Sequence, residues 1–306
     1  MTATVQPSSS CLWAVSGLPD WITLSGPIVS TGASTANLLV APLTGTSRTA
    51  TISIAGLAVT VNQQGTTGSP LLTAVTNGAS SLPGSVSPGE IIVLYGTGLG
   101  PGQITEAHVG SDGRFGTQLA GTSVSLNGIA APLIYTSATQ VAAVVPYGVG
   151  ASPAQVTVTY QGQTSVPVSE PIASSAPGIF TSDGTGKGQA AAVNQDNSLN
   201  TVGTPAKAGD VIVLFATGEG QTTPGGADGQ PATSPLPHPN LPVTVTIGGQ
   251  VTQLQYAGGA PGEIAGLMQI NAVVPTGIQT GNAVPVALQV GNVSSQPGVT
   301  IAVKGN

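Results

Sequence analysis

The carboxylates are the residues of this chain with the widest scope for catalysis. The 306 residues include eleven Asp or Glu, and two of these placed across a cleft would suffice for glycoside hydrolysis. Glu90 and Glu106 are the pair that we consider for this chemistry. Most of the acids stand beside Gly, where an Asp side chain stabilises its own turn. Glu90 and Asp210 occupy equivalent places in an internal repeat, which favours a shared structural role, such as bonding turn amides.

Nucleophilic hydrolysis needs a base beside the nucleophile, and the chain has only two histidines. His108 stands in a predicted loop, and His238 stands in the proline-rich turn PLPHPN. Neither a GxSxG nor an HExxH motif occurs. We therefore predict no enzyme activity, no catalytic residue and no cofactor.

One segment alternates oxygen-bearing side chains in the way that calcium-binding loops do. The four residues are Asn194, Asp196, Ser198 and Asn200. An EF-hand loop also needs Gly at its sixth position and Glu at its twelfth, where this chain has Leu199 and Pro205. We predict a polar hairpin turn here and no metal site.

Tryptophan side chains offer flat surfaces on which sugars stack, and the chain has two of them. Trp13 alternates with Leu12 and Ala14 in a predicted strand, so we expect it in a core. Trp21 follows Pro19 and Asp20 at a strand start, and we expect it to be partly exposed. Trp21 is therefore the candidate residue for glycan stacking.

The composition excludes several classes of partner. Only five residues are basic and the net charge is −6, so binding to nucleic acid or to an anionic membrane is disfavoured. The apolar runs are too short to span a bilayer. Low charge with many hydroxyl and amide side chains indicates an extracellular or cell-surface protein, although the N-terminus shows no export leader. The single Cys11 permits no internal disulfide, and we expect it to be buried.

Glycine and proline punctuate the chain so often that long helices are disfavoured. With 44 Gly and 25 Pro between runs rich in Val, Thr and Ile, the sequence predicts many short strands and an all-β fold. Residues 1–66 form a first predicted domain of alternating strands. The stretch GTTGSP at 65–70 is the predicted linker that follows it.

The remainder of the chain contains an internal repeat of four ordered blocks. Each block has a counterpart about 120 residues later: GEIIVLYGTGLG at 89–100 with GDVIVLFATGEG at 209–220, SVSLNGIAAPLIY at 123–135 with TVTIGGQVTQLQY at 244–256, QVAAVVP at 140–146 with QINAVVP at 269–275, and VTVTYQGQTS at 156–165 with VPVALQVGNVS at 284–294. We therefore predict two copies of one β-sandwich, at 70–175 and 176–306, and three tandem immunoglobulin-like sandwiches in all. Tyr135 and Tyr256 are equivalent, so we expect both in the cores of the repeats.

These motifs resemble known families. Stretches such as SPGEIIVLYGTGLGP at 87–101 and GLMQINAVVP at 266–275 are similar to the Solibacter-type family of uncharacterised bacterial secreted C-terminal domains. Each copy also resembles the IPT/TIG immunoglobulin-like domain, through the turn, strand and glycine-rich corner at 88–100. Neither resemblance implies catalytic residues.

Residues 1–66 resemble a BACON domain, an immunoglobulin-like module for which carbohydrate binding has been proposed. The matching residues are Cys11-x-Trp13, Asp20-Trp21-Ile22, Arg48 to Ile52 and Val61-x-Gln63. BACON domains usually begin one strand earlier than this chain does. A trimmed chain is the simpler explanation of this difference, and a strand supplied by another molecule to complete the sheet is the alternative.

Two functions follow as hypotheses. The first is a non-catalytic extracellular structural or adhesive protein that associates with itself or with other surface proteins, as a filament or surface-layer subunit joined by strand donation. The second is a carbohydrate-binding module that takes polysaccharide through its N-terminal domain. A hydrolase built on Glu90 and Glu106 is a third possibility, which requires both carboxylates in one groove.

Overall fold

The computed structural model of the protein describes residues 2–6, 10–41, 47–63, 68–150 and 153–305. Within these ranges all regular structure is β-strand, so no helix that could span a membrane is found there. The all-β, multi-domain sandwich fold expected from the sequence is confirmed. The chain divides into two compact units, Met1–Gly68 and Ser69–Asn306, called unit 1 and unit 2 below.

Unit 1 contains seven strands: β1 (Thr2–Val5), β2 (Leu12–Ser16), β3 (Ile22–Leu24), β4 (Val29–Thr31), β5 (Ser34–Val40), β6 (Arg48–Ile54) and β7 (Leu57–Gln63). They form a three-stranded sheet in the order β1-β5-β3 and a four-stranded sheet in the order β4-β2-β6-β7. Alternate side chains point into one core, which is why apolar and polar residues alternate along the strands. Trp13 lies in this core as predicted, whereas Cys11 is exposed and its predicted burial was wrong.

The start of the chain pairs within its own molecule. β1 is antiparallel to β5, with Thr2 opposite Asn37 and Val5 opposite Ser34. Residues 2–5 therefore already occupy a place in a sheet of unit 1. Half of the predicted linker at 65–70, residues 65–67, lies outside the described residues.

The first half of unit 2 contains ten strands: β8 (Leu71–Asn77), β9 (Ile91–Thr97), β10 (Thr105–Glu106), β11 (Thr122–Leu126), β12 (Ile129–Ala131), β13 (Leu133–Thr136), β14 (Gln140–Val144), β15 (Ala154–Tyr160), β16 (Gln163–Thr164) and β17 (Val168–Glu170). One sheet has the order β10-β13-β14-β9-β8. The other has the order β12-β11-β15-β16, with β17 also paired to β15.

The second half contains fourteen strands: β18 (Gly178–Ile179), β19 (Gly188–Gln189), β20 (Ala192–Asn194), β21 (Ala206–Lys207), β22 (Val211–Thr217), β23 (Thr222–Thr223), β24 (His238–Pro239), β25 (Val243–Ile247), β26 (Gln250–Val251), β27 (Leu254–Gly259), β28 (Met268–Val273), β29 (Gly281–Val290), β30 (Val293–Ser294) and β31 (Val299–Lys304). One sheet has the order β18-β22-β28-β27, with β20 on β22. A second sheet has the order β19-β31-β29-β25-β26, with β21 on β31 and β30 on β29, and β23 and β24 form a separate two-stranded sheet.

The two halves repeat one strand arrangement. β13, β14 and β9 are adjacent in the first half, as β27, β28 and β22 are in the second. The register even shifts at the same place, between Leu133 and Tyr135 and between Leu254 and Tyr256. Each half encloses its own apolar core. Tyr135 and Tyr256 are only half-buried, so their predicted place in the cores was wrong.

Candidate functional site

The carboxylate pair considered for hydrolysis does not share a groove. Glu90 has no exposed surface. Glu106 is exposed and lies on β10, which β13 and β14 separate from β9. A substrate that reached Glu106 would therefore not reach Glu90, and the pair cannot act on one glycosidic bond.

Glu90 is held by three hydrogen bonds at the start of β9. Its Oε2 accepts from the Ser87 backbone amide at 2.7 Å and from the Ser87 hydroxyl at 3.4 Å. Its Oε1 accepts from Asn77 Nδ2 at 2.9 Å. The predicted role of bonding a turn amide is thus seen for Glu90. Asp210 is instead half-exposed, beside Lys207 and Lys304 in a pocket of about 270 Å³, so the two acids have different surroundings.

Glu90 lies at the contact between the two halves of unit 2, which we call the seam. Asn77 spans the seam, because its Nδ2 also donates to the Ala176 carbonyl at 2.9 Å. The Thr217 hydroxyl accepts from the Ile91 amide at 2.8 Å and donates to the Gly266 carbonyl at 2.7 Å. Buried polar groups that are paired in this way fix the two halves in one arrangement.

Apolar side chains fill another part of the seam. Ile91, Val144 and Ile264 are buried there, and four partly buried residues pack against them: Phe115, Ile134, Phe180 and Leu267. The corresponding face of the second half, with Val211 and Val273 in place of Ile91 and Val144, is half-exposed. The halves are therefore alike in fold but differ in what covers this face.

Tyr147 provides the third set of seam contacts. Its amide donates to Asp228 Oδ1 at 2.9 Å, and its carbonyl accepts from Gln221 Nε2 at 2.7 Å. The ring lies between Gly89 and Gly226. A Cβ atom added at these glycines would come within 2.6 Å and 2.1 Å of the ring carbon Cζ, so both positions require glycine.

Two buried polar atoms near this ring have no hydrogen-bond partner among the described residues, namely Glu219 Oε2 and the Tyr147 hydroxyl. Burial raises the pKa of Glu219 to about 8. Burial also raises the pKa of Glu90 to about 8, and the nearby Glu219 adds to that effect. Both pKa values lie above neutral pH, so the carboxyl groups are mainly protonated and uncharged there. Two neutral acids with almost no exposed surface are poorly suited to hydrolysis.

The connection between the halves is also bonded on both sides. The Ala173 amide donates to the Val86 carbonyl in the first half at 2.8 Å. The Ala176 amide donates to the Gly218 carbonyl in the second half at 2.9 Å. Residues 171–177 therefore form part of the seam.

The histidines and the oxygen-rich loop have local roles. His108 is exposed in a loop, and His238 Nδ1 lies 2.8 Å from the Ala257 carbonyl. Asp196 Oδ1 accepts from the amide and the hydroxyl of Ser198. Asn194 Nδ2 donates to Ser198 Oγ at 3.0 Å. These bonds form the polar hairpin turn that the sequence predicts.

Trp21 is half-buried at one corner of unit 1. The guanidinium of Arg48 lies 4.3 Å from the centre of its ring, a cation–π contact. The Ala41 carbonyl accepts from Arg48 Nη2 and from Gln63 Nε2, each at 2.9 Å. The expected partial exposure is present, but Arg48 covers one ring face, and glycan stacking stays a prediction.

The surface of unit 1 is almost uncharged. Asp20 and Arg48 are its only charged residues. Among the described residues of unit 1, five large apolar side chains are nonetheless exposed: Leu12, Ile28, Val29, Leu39 and Leu57. With so few charges, little electrostatic repulsion opposes contact between this surface and a partner.

Residues 70–170 match the family model of the IPT/TIG domain, which covers about a third of the chain. No curated protein matches the sequence.

Solved structures similar to the chain include three modular proteins. The I9–I11 tandem of titin is 9% identical, with each chain covered completely and a TM-score of 0.22. A surface glycan-binding protein from Prevotella bryantii is 15% identical over 77% of this chain and 42% of its own, with a TM-score of 0.24. Domains 4–9 of the surface-layer protein SbsC are 12% identical over 99% and 42%, also at 0.24. The chain thus spans less than half of the last two, and such distant likenesses say nothing of its partners.

Proposed function

We propose that the protein is a non-catalytic, extracellular or cell-surface structural or adhesive protein that associates with itself through unit 1. The observation that carries this proposal is the surface of unit 1, whose described residues include five exposed large apolar side chains beside only two charged residues. A surface with so little charge lacks the repulsion that keeps protein molecules apart.

The seam supports the non-catalytic part of the proposal. The most strongly perturbed acids of the chain, Glu90 and Glu219, are buried between the two halves and neutral near pH 7. Perturbed acids commonly mark active sites, but these two have almost no exposed surface on which a substrate could bind. We therefore assign unit 2 a structural role as one compact unit.

The finer family assignments belong to this proposal. The assignment of unit 1 as a BACON-like module rests on the pattern around Trp13, Trp21 and Arg48. The assignment of residues 70–306 as a Solibacter-type secreted domain rests on the ordered motifs of the repeat. Domain limits at 1–66, 70–175 and 176–306 agree with strand pairing, since no described strand pair joins two of these ranges.

Strand donation by the N-terminus is not part of the proposal, because β1 already pairs with β5 of its own chain. A filament or a surface layer would instead grow from folded units that contact one another. Electron microscopy and sedimentation velocity of the purified full chain over a range of concentrations test this. We expect assemblies that increase with concentration, and a monomer at every concentration would refute the proposal.

Binding of polysaccharide is the second candidate function. It is favoured by Trp21, whose ring is partly exposed with the polar side chains of Arg48 and Gln63 close by. Affinity electrophoresis in gels that contain defined polysaccharides is the test. Retardation that Trp21→Ala abolishes and Tyr160→Ala, in unit 2, preserves would establish it, and no retardation in any gel would remove it.

A further inference from the structure

β7 is an unprotected edge of the four-stranded sheet of unit 1. All seven of its residues pair with β6, from Leu57 opposite Ile54 to Gln63 opposite Arg48, without a register shift. No other strand of the described residues pairs with it. Natural edge strands normally carry a charge, a proline or a bulge that prevents pairing with another molecule. The β7 sequence LAVTVNQ has no charge and no proline.

The other edges of the molecule are less suited to pairing. In unit 1, β1 has four residues, and β3 and β4 have three each. In unit 2, β8 is as long as β7, but its register shifts between Leu72 and Ala74. Such a bulge bends an edge away from a partner. β7 is thus the longest regular edge strand of the described chain that has no such protection.

We propose that β7 pairs antiparallel with β7 of a second copy of this chain, with a two-fold axis at Thr60. This inference rests on the proposed self-association and names its surface. In an isologous contact, a residue that contacts a given position of the second copy is itself contacted by that position from the second copy. Thr60 then faces Thr60 of the second copy, Val59 faces Val61, and Ala58 faces Asn62.

The side chains of β7 suit this register on both faces of the sheet. Val59 and Val61 belong to the core of unit 1, so their pairing extends the apolar layer from one copy into the next. Ala58, Thr60 and Asn62 are exposed on the opposite face. A threonine pair directly across two strands is a favourable contact. No step of the pairing requires a charged group to be buried.

Electrostatics favour contact through unit 1 and not through unit 2. Unit 1 carries one acid and one base, so its formal charge is zero. Unit 2 carries the other ten acids and four basic residues, which gives the whole net charge of −6. Two copies that meet at β7 bring together units whose formal charge is zero, so little like-charge repulsion opposes the contact.

A charge placed at the axis tests the pairing. Thr60→Lys sets two ammonium groups opposite each other in the pair, and we expect the dissociation constant from sedimentation velocity to rise more than about tenfold. Thr51→Lys is the matched control, because Thr51 is the exposed cross-strand neighbour of Thr60 on β6 and lies away from the edge. It should change the constant less than about twofold. Circular dichroism confirms that both variants are folded.

Cysteine cross-linking tests the register, in a Cys11→Ser background. Thr60→Cys should give a disulfide-linked dimer on mild oxidation, since residues opposite each other in antiparallel strands lie about 4.5–5.5 Å apart at Cα. Ala58→Cys, on the same edge and face, should not. If the wild type associates but both lysine variants change the dissociation constant equally, or neither changes it, the β7 contact is overturned while self-association stands. Equal cross-linking at positions 58 and 60 overturns the axis at Thr60. A wild type that remains monomeric overturns both proposals.

Discussion

Glu219 holds, in the second half of unit 2, the place in the repeat that Leu99 holds in the first. Each stands two residues beyond the end of its strand, in GTGLG at 96–100 and in ATGEG at 216–220. Leu99 is enclosed in the core of its own half, whereas Glu219 is buried at the seam. One repeat position therefore serves the core in one copy and the contact between copies in the other.

The stability of unit 2 should fall as the pH rises. Glu90 and Glu219 have pKa values near 8 in the folded protein, above their ordinary value of 4.5. Folding thus favours the protonated forms, so the stabilisation is complete below about pH 4.5 and is lost as the pH rises toward 8. Guanidinium unfolding, followed at the five tyrosines, which all lie in unit 2, measures this loss.

Variants of the two acids identify the source of the pH dependence. Glu219→Gln and Glu90→Gln replace a protonated carboxyl by a neutral amide, and each should flatten the dependence between pH 5 and pH 8, the range that the two pKa values define. Glu106→Gln, at an exposed position, should leave it unchanged. A profile that is the same for wild type and both seam variants would show that the two acids do not titrate in this range.

Thr217→Val should destabilise unit 2 by about 2–4 kcal/mol, because it leaves the Ile91 amide and the Gly266 carbonyl buried without their partner. Thr97→Val is the control at the equivalent position of the first half, where the residue is exposed, and it should cost less than about 0.5 kcal/mol. The free energy of unfolding in denaturant gives both values. Equal effects at the two positions would contradict the role of Thr217.

Gly266→Ala should disturb the seam directly. A Cβ atom at this residue would lie 2.1 Å from the Gly89 carbonyl oxygen, which is backbone and cannot rotate away. Gly262→Ala is the control, since Gly262 also has positive φ but has open space beside it. We expect Gly266→Ala to cost about 1–3 kcal/mol more than the control. A thermal unfolding series compares them, and similar losses would indicate that only backbone strain matters.

Ser165→Ala and Ser295→Ala should have matching effects on stability. Each buried hydroxyl oxygen accepts from a strand amide, Val158 or Leu288, at 3.1 Å. Removing the acceptor leaves a buried donor unpaired, which costs about 1–3 kcal/mol. The exposed neighbour Ser294→Ala should be nearly neutral. Denaturant unfolding of the three variants provides the comparison, and a large difference between the two buried serines would show that the repeats do not use this bond alike.

Sequence patterns predicted the structural features that depend on residues close together in the chain. Alternating apolar residues predicted the strands of unit 1 and the burial of Trp13, because period-two patterning follows from the geometry of a strand. The repeated blocks predicted that β9 and β22 occupy equivalent places. Asp183 illustrates the turns, since its Oδ1 accepts from the Thr185 amide two residues later.

The seam could not be predicted in the same way. Its bonds join residues far apart in the chain, such as Asn77 with Ala176 and Ile91 with Thr217, and no local pattern records that distance. Equivalence in the repeat was also misleading there, because Glu90 is covered by the other half while Asp210 is not. Glu219 did carry a signal, namely a single acid at a position where the other copy has an apolar residue.

The segment at 171–177 has a mechanical consequence, since it is bonded to both halves. If tension were applied to the two ends of unit 2, no unbonded linker between the sandwiches could extend first. The force would act directly on the sheets and on the contact between the halves. Unit 2 should therefore respond to load as one body of fixed length and not as two domains joined by a flexible linker.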